Sequence, residues 1–381
     1  MRNFIEKNKR TILCAGSVSK NVVDSIIEIS DDFNVKLMLI SSRNQIDTLD
    51  FNGGYVENWS TENFSKYVKI KSKKNNIILC RDHGGPWQNN YETENKFNLK
   101  QAISSCKNSF KNDIENNFQI IHIDVSAHQL QINDLEKVLD QTFELYEYCH
   151  IQAQLCKKKI FFEVGSENQE IGYENIQSFE EYVAKLISTC SKLNLPTPLF
   201  IVANTGSKVV EFKNLANPKI NDNNLSFYNE NKMKKIFLLS QKYNFFIKEH
   251  NVDYLDNNLI NLHSQSNIHA ANIAPEFGVE ETKAFVDMLS KANMDIEKEK
   301  FLAICYNSNK WMKWVKNKTK LSKLEKSILA GHYNFNNPQV KVIKSKLAHY
   351  LKNKNINLDF ELKERIKKTI FKYLYGFKLI N

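Results

Sequence analysis

The stretch IFFEVGSENQEIGYENIQSFEEYVAKLISTCSKLNLPTPLFIVA, residues 160–203, decides the fold. It opens on an apolar run of strand length, Ile160 to Val164, and closes on another, Leu199 to Ala203. Between them Phe179, Tyr182, Val183, Leu186, Ile187 and Cys190 recur at the spacing of one helix face, introduced by a capping-box pair, Ser178 and Glu181. Two near-continuously apolar strands around one amphipathic helix make a parallel βαβ unit in a sheet covered on both faces.

The same unit repeats along the chain. Further strand-length runs stand at Thr11 to Ala15, Val35 to Ile40, Asn76 to Cys80, Gln119 to Asp124, Phe245 to Glu249 and Asn267 to Ile273, which brings the number to eight. Helical stripes fall between them, such as Val22, Val23, Ile26 and Ile27, or Leu135, Val138, Leu139, Phe143 and Tyr146. An α/β fold of eight such units is predicted to be a closed (β/α)8 TIM barrel. An open doubly wound sheet would carry a Gly-rich loop after its first strand, where Gly16 stands without companion glycines. Turns from helix to strand are short, whereas segments after strands are long, at Asn44 to Ser60, His83 to Asn98 and Asn204 to Leu225. In a β/α barrel that face carries the site. Beyond about Asp295 the alternation stops, so residues 1–295 are read as the barrel and 296–381 as a helical C-terminal extension packed on it.

Composition fits an ordinary globular chain, with 42% hydrophobic and 25% charged residues. The net charge of +10 is spread out and comes with no nucleic-acid-binding signature, so an anionic small substrate suits it better than nucleic acid. No run of about 18 apolar residues predicts a membrane span. The apolar stretch Ile12 to Ala15 after the basic start is too short for a signal-peptide core, and seven cysteines without a CxxC pair read as reduced thiols, so a cytoplasmic location is expected.

Nearly every predicted strand ends in a polar or ionisable group: Arg43, Asn44 and Gln45; Arg81, Asp82 and His83; Asp124 and Ser126; Glu163; Asn204; Lys248, Glu249 and His250; Asn272 and Glu276. Charges converging on one mouth are costly unless paired, solvated or metal-bound, which points to a binding site. Two histidines from different strands with carboxylates suit a divalent metal, zinc first among them, and His83 with His250 is the best pair. Two histidines merely hydrogen-bonded in the rim are the plain alternative. His122, one pleat deeper than Asp124, reads as a buried hydrogen-bonded histidine. Trp59, Trp87 and Tyr91 in the long loops read as loop packing before sugar stacking.

Ser42-Arg43-Asn44-Gln45-Ile46-Asp47 with Gly53-Gly54-Tyr55, Asp82-His83-Gly84-Gly85-Pro86, Ile121 to Ser126, Glu163-Val164-Gly165, His250 with Asp253-Tyr254, and Gly331-His332-Tyr333 together resemble the non-catalytic-subunit family of class II tagatose-bisphosphate aldolases. The resemblance runs from about Cys14 to Tyr350. It implies a class II aldolase-type barrel handling ketose phosphates, in a family with both stabilising subunits of a catalytic aldolase and ketose 4-epimerase-like members. It implies an acid/base carboxylate at Asp82, metal ligands at His83 and His250, a further ligand or base at Glu163, and a substrate loop at Asn44, Gln45 and Asp47. This chain departs from the family pattern at Arg81, Lys248, Asn272 and Ala274, and a ligand carboxylate is read as moved to Glu249. Arg43, Arg81 or Lys248 would bind phosphate. The functional expectation is a metal-dependent ketose-phosphate aldolase or 4-epimerase, homo- or hetero-oligomeric; the alternative is a subunit that binds a class II aldolase and does no chemistry.

Overall fold

The computed structural model describes residues 1–129, 135–165, 176–204, 206–216, 230–315 and 319–380. Eight parallel strands close into a barrel in chain order: β1 (Ile12–Gly16), β2 (Leu37–Ser41), β3 (Ile77–Gly84), β4 (Ile120–Ile123), β5 (Phe161–Val164), β6 (Phe200–Val202), β7 (Phe246–Glu249) and β8 (Ala270–Ile273), with β8 pairing back onto β1. All eight expected runs are strands of this barrel. The expected capping box is not at a helix start, because the helix Ile176–Lys192 already includes Ser178. The Asn204 to Leu225 loop lies partly outside the described residues; what is described there forms a small antiparallel hairpin, Val209–Val210 with Lys213–Asn214.

Strand alternation builds two cores. Ile12, Cys14, Met38, Ile40, Ile78, Cys80, Ile120, Phe200, Phe246 and Ala270 fill the barrel's lower interior, and Ile5 of the N-terminal helix Arg2–Asn8 joins them from below. The alternate positions, Leu13, Leu39, Leu79, Ile121, Phe162, Ile201, Ile247 and Ala271, pack outward against the helices. Toward the C-terminal ends the inward positions change from apolar to polar.

The helical extension forms its own core, in which Phe285 and Leu289 of the barrel helix Pro275–Lys291 meet Phe301, Cys305, Val340, Leu347 and Leu362. The last helix, Leu358–Gly376, buries Ile366, Ile370, Tyr373 and Leu374 in the main barrel core. Tyr373 and Lys372 bind the Glu276 carboxylate at the start of the helix Pro275–Lys291 and so latch the extension to the barrel. Among the described residues no helix is long and apolar enough to cross a membrane.

Candidate metal centre

The upper interior of the barrel is charged. β3, β4 and β5 bring Asp82, His122 and Glu163 inward, His250 follows the end of β7, and one ligand-type atom from each lies within 4.8 Å of the others. His250 Nε2 is 2.9 Å from Glu163 Oε1 and 3.9 Å from Asp82 Oδ1. His122 Nδ1 is 3.7 Å from Asp82 Oδ1 and 3.8 Å from Glu163 Oε1.

His83 completes the mouth through a break in the pleat. Between Arg81 and Gly84 the β3–β4 register shifts, and His83 takes a positive φ of 46°. Such a bulge re-aims a side chain. Adjacent residues Asp82 and His83 thereby reach the same space, with His83 Nε2 3.7 Å from Asp82 Oδ2. Gly85 follows because the chain presses on its neighbour there: a Cβ at this position would sit 1.6 Å from the Asp124 carbonyl oxygen. The His83 Nδ1–H donates to Asp124 Oδ2 at 2.8 Å, which puts the ring's lone pair on Nε2, toward Asp82. A carboxylate behind an imidazole in this way fixes the orientation of a metal ligand. Gln88 Nε2 donates to the same Asp124 oxygen at 2.9 Å and to Ser126 Oγ at 3.3 Å.

His122 is fully buried and held by backbone on both sides. Its Nδ1 accepts from the His83 N–H, and its Nε2–H donates to the Gly165 carbonyl. It is the buried hydrogen-bonded histidine expected from sequence, and it also stands in the donor cluster. Lys248, completely buried on β7, donates to Glu163 Oε2 at 2.6 Å. Asn272 of β8 donates Nδ2–H to Asp82 Oδ1 at 3.2 Å, while its own carbonyl oxygen is buried without a hydrogen-bond partner among the described residues.

Burial works to raise every carboxyl here, but neighbouring charge outweighs it. Lys248 and the imidazoles hold Glu163 down at about 2. Asp82 lies well below the usual carboxylate range, through His83, His122, His250 and Lys248, and Asp124 is lowered by His83. All three carboxylates are therefore ionised at neutral pH. Lys248 sets a cation against their charge of −3, and imidazoles that become neutral on coordinating would leave the remainder to a divalent ion. Imidazole nitrogens and carboxylate oxygens are also the donor types that Zn²⁺ and similar ions take, so these residues fit a metal.

Asp82, His83, Asp124, Glu163, Lys248, His250 and Asn272 thus come together, and Ser126 stands at the edge through Gln88. Other strand-end residues face elsewhere. Glu249, expected as a ligand, is outward by alternation and binds His263 and Ser207 between sheet and helix. Arg81, expected at a phosphate, is also outward: its Nε and Nη2 bind Asp113 at 2.7 and 2.6 Å, and its Nη1 binds the Ser41 and Ile46 carbonyls. Arg43, expected in the same role, is fully buried among Asp47, Glu92, Ser105 and Ser109. The loop residues Asn44, Gln45 and Asp47 bind loop backbone, receiving the N–H groups of Asn90, Ser42 and Thr48. Asn204 accepts from Gly206 N–H, and Glu276 forms the latch to the last helix. Trp59 packs on Phe64 and Tyr67, and Trp87 donates to the Phe97 carbonyl. Gln88 was missed because nothing in its sequence neighbourhood distinguishes it from any polar loop residue.

No family model and no curated protein matches the sequence. Solved structures do match in fold. The chain is similar to a probable tagatose 6 phosphate kinase from Sinorhizobium meliloti, with TM-score 0.71 and 13% identity over 96% of this chain and 100% of that one. It is similar to the fructuronate-tagaturonate epimerase UxaE from Cohnella laeviribosi, with TM-score 0.60 and 7% identity over 97% of this chain and 81% of that one. A fructose-bisphosphate aldolase from Campylobacter jejuni matches with TM-score 0.54 and 12% identity over 100% of this chain and 93% of that one. At these identities the likeness is one of fold. The (β/α)8 barrel is the shared architecture.

Proposed function

We propose that this chain is a metal-dependent enzyme acting on a ketose or ketose phosphate, of the class II aldolase kind, by aldol cleavage or 4-epimerisation. The observation that carries the reading is the cluster of Asp82, His122, Glu163 and His250 at the C-terminal mouth of the barrel, with His83 Nε2 3.7 Å from Asp82, where barrel enzymes do their chemistry. Support also comes from fold neighbours described as an aldolase and a sugar-acid epimerase.

His83 and His250 would hold the ion, with Glu163 and Asp82 as the carboxylates beside it. A zinc or similar ion there would supply a Lewis acid for the ketose carbonyl. Asp82, ionised and partly open to the mouth, would take the proton of the substrate's C4 hydroxyl. The electron pair of the C3–C4 bond then passes toward the carbonyl carbon, and an aldehyde forms at C4. Rejoining the fragments on the other aldehyde face inverts C4; in cleavage the proton taken by Asp82 would be returned to C3 of the enediolate before the fragments leave. Glu163, fully buried and held by Lys248 and His250, would serve as fixed negative charge rather than as a proton carrier. The unpartnered Asn272 carbonyl would accept a substrate hydroxyl. Since Arg43, Arg81 and Lys248 are engaged by carboxylates, a phosphate would have to be met by other groups.

The second reading is a stabilising subunit of a class II aldolase. It is favoured by Lys248 already binding Glu163, and by Ile151 and Leu155, exposed one turn apart on the helix Leu135–Leu155. The two separate on metal content and on turnover of ketose phosphates by the chain alone, before and after His83→Ala. The enzyme reading expects bound metal and activity, both lost in the variant. Full activity of a metal-free His83→Ala protein would refute it. An inactive chain that co-purifies stoichiometrically with an aldolase would establish the subunit.

A further inference from the structure

Glu163 is gripped from two sides. Lys248 reaches its Oε2 at 2.6 Å, and His250 meets its Oε1 at 2.9 Å. Lys248 rises inside the barrel from β7, two residues before His250 and therefore one layer beneath it, with its ammonium 5.9 Å from the Phe200 ring centroid. Its side chain has no exposure, so its charge is a fixed part of the centre and cannot swing into solvent. The lysine is also a departure from the pattern this sequence otherwise resembles.

Resting on the metal reading above, we propose that Lys248 sets the metal affinity of this centre: its ammonium claims one oxygen of Glu163 and repels an incoming divalent ion. Two physical effects act in the same direction. A carboxylate with one oxygen accepting from an ammonium has its other oxygen left for a metal. A buried positive charge beside a second cation is felt strongly, because little water screens it. The cluster therefore takes one divalent ion, more weakly than its imidazoles and carboxylates would on their own, and its occupancy follows the free metal concentration.

The test is zinc binding to the metal-free full chain and to Lys248→Met and Lys248→Gln, measured by competition with a chromophoric chelator. Co²⁺ absorption serves as a second, activity-independent readout. Both variants are expected to bind one ion at least tenfold more tightly than the wild type. Their Co²⁺ spectra should shift as the second Glu163 oxygen becomes available, and their melting temperatures, lowered without metal, should recover on adding Zn²⁺. Equal or weaker binding by a folded variant overturns the proposal while leaving the metal centre in place. Failure of both variants to fold even with Zn²⁺ overturns it too, since Lys248 would then be structural. A wild type that binds no ion removes the metal reading itself, and that measurement alone tells the two failures apart.

Discussion

Asp113→Asn is expected to destabilise the fold by about 3–5 kcal/mol, the cost of stranding one member of a buried ion pair. Arg81 and Asp113 have fully buried side chains and meet through two contacts of 2.6 and 2.7 Å, between β3 and the helix Leu99–Glu115. Two charges about 4 Å apart at an effective dielectric near 20 interact by about 4 kcal/mol, which agrees with that range. The guanidinium cannot shed its proton to escape, so after the substitution it stays buried without the carboxylate it touches. With a urea dependence of about 3 kcal/mol per molar, the unfolding midpoint should fall by about 1–1.7 M. Coincident fluorescence and circular dichroism transitions would license that conversion. The double variant Arg81→Met/Asp113→Leu should regain most of the loss, because no charge is left stranded. A midpoint shift below about 0.3 M in the single variant, roughly 1 kcal/mol, would refute the reasoning. It would mean that water or another anion reaches Arg81, reopening it to a phosphate role.

Other consequences can be checked in parallel. Asp124→Asn removes the acceptor that orients His83 and should weaken zinc binding by about 10–100-fold, measured by chelator competition. Gly85→Ala forces a Cβ against the Asp124 carbonyl and should cost about 1–3 kcal/mol by chemical denaturation. Burial and the charge of Glu276 push the Asp253 carboxyl up to about 8, from an ordinary value of 3.8. The folded state therefore holds a proton that the unfolded chain releases, so this contribution is fully present below about pH 4 and is lost as pH rises to about 8. Stability should fall across that window by up to about 1.4 kcal/mol per pH unit, and Asp253→Asn should remove that slope in denaturation series at pH 5 to 8.

The barrel was legible because its physics is periodic. Apolar runs of five to seven residues, helical stripes between them and long loops after strands leave few alternatives, and strands such as Phe161–Val164 and Phe200–Val202 fell where the runs said. The latch of the last helix was legible only as part of a helical extension packed on the barrel. That Tyr373 and Lys372 would both bind Glu276, a residue expected at the substrate, depends on a packing contact nearly a hundred positions away.

The site was legible as a rim but not as a centre, and strand alternation is the reason. A polar residue at a strand end faces the mouth or the helices according to parity. Arg81 and Glu249 satisfy the composition rule for a site as well as Asp82 and Lys248 do, yet each has its charge compensated behind the sheet, by Asp113 or by His263 and Ser207. Had the two-residue alternation held through β3, Asp82 and His83 would face opposite ways and only one could enter the cluster. The bulge before Gly84 reverses that outcome, and it is bought with a left-handed histidine. Neighbouring chain segments pressed against Gly84 and Gly85 show why two glycines follow: a Cβ at Gly84 would stand 2.5 Å from the His122 carbonyl oxygen. The glycine pair is thus what lets β3 lie close enough to β4 for His83 N–H to reach His122 Nδ1, and for His83 Nδ1 to reach Asp124.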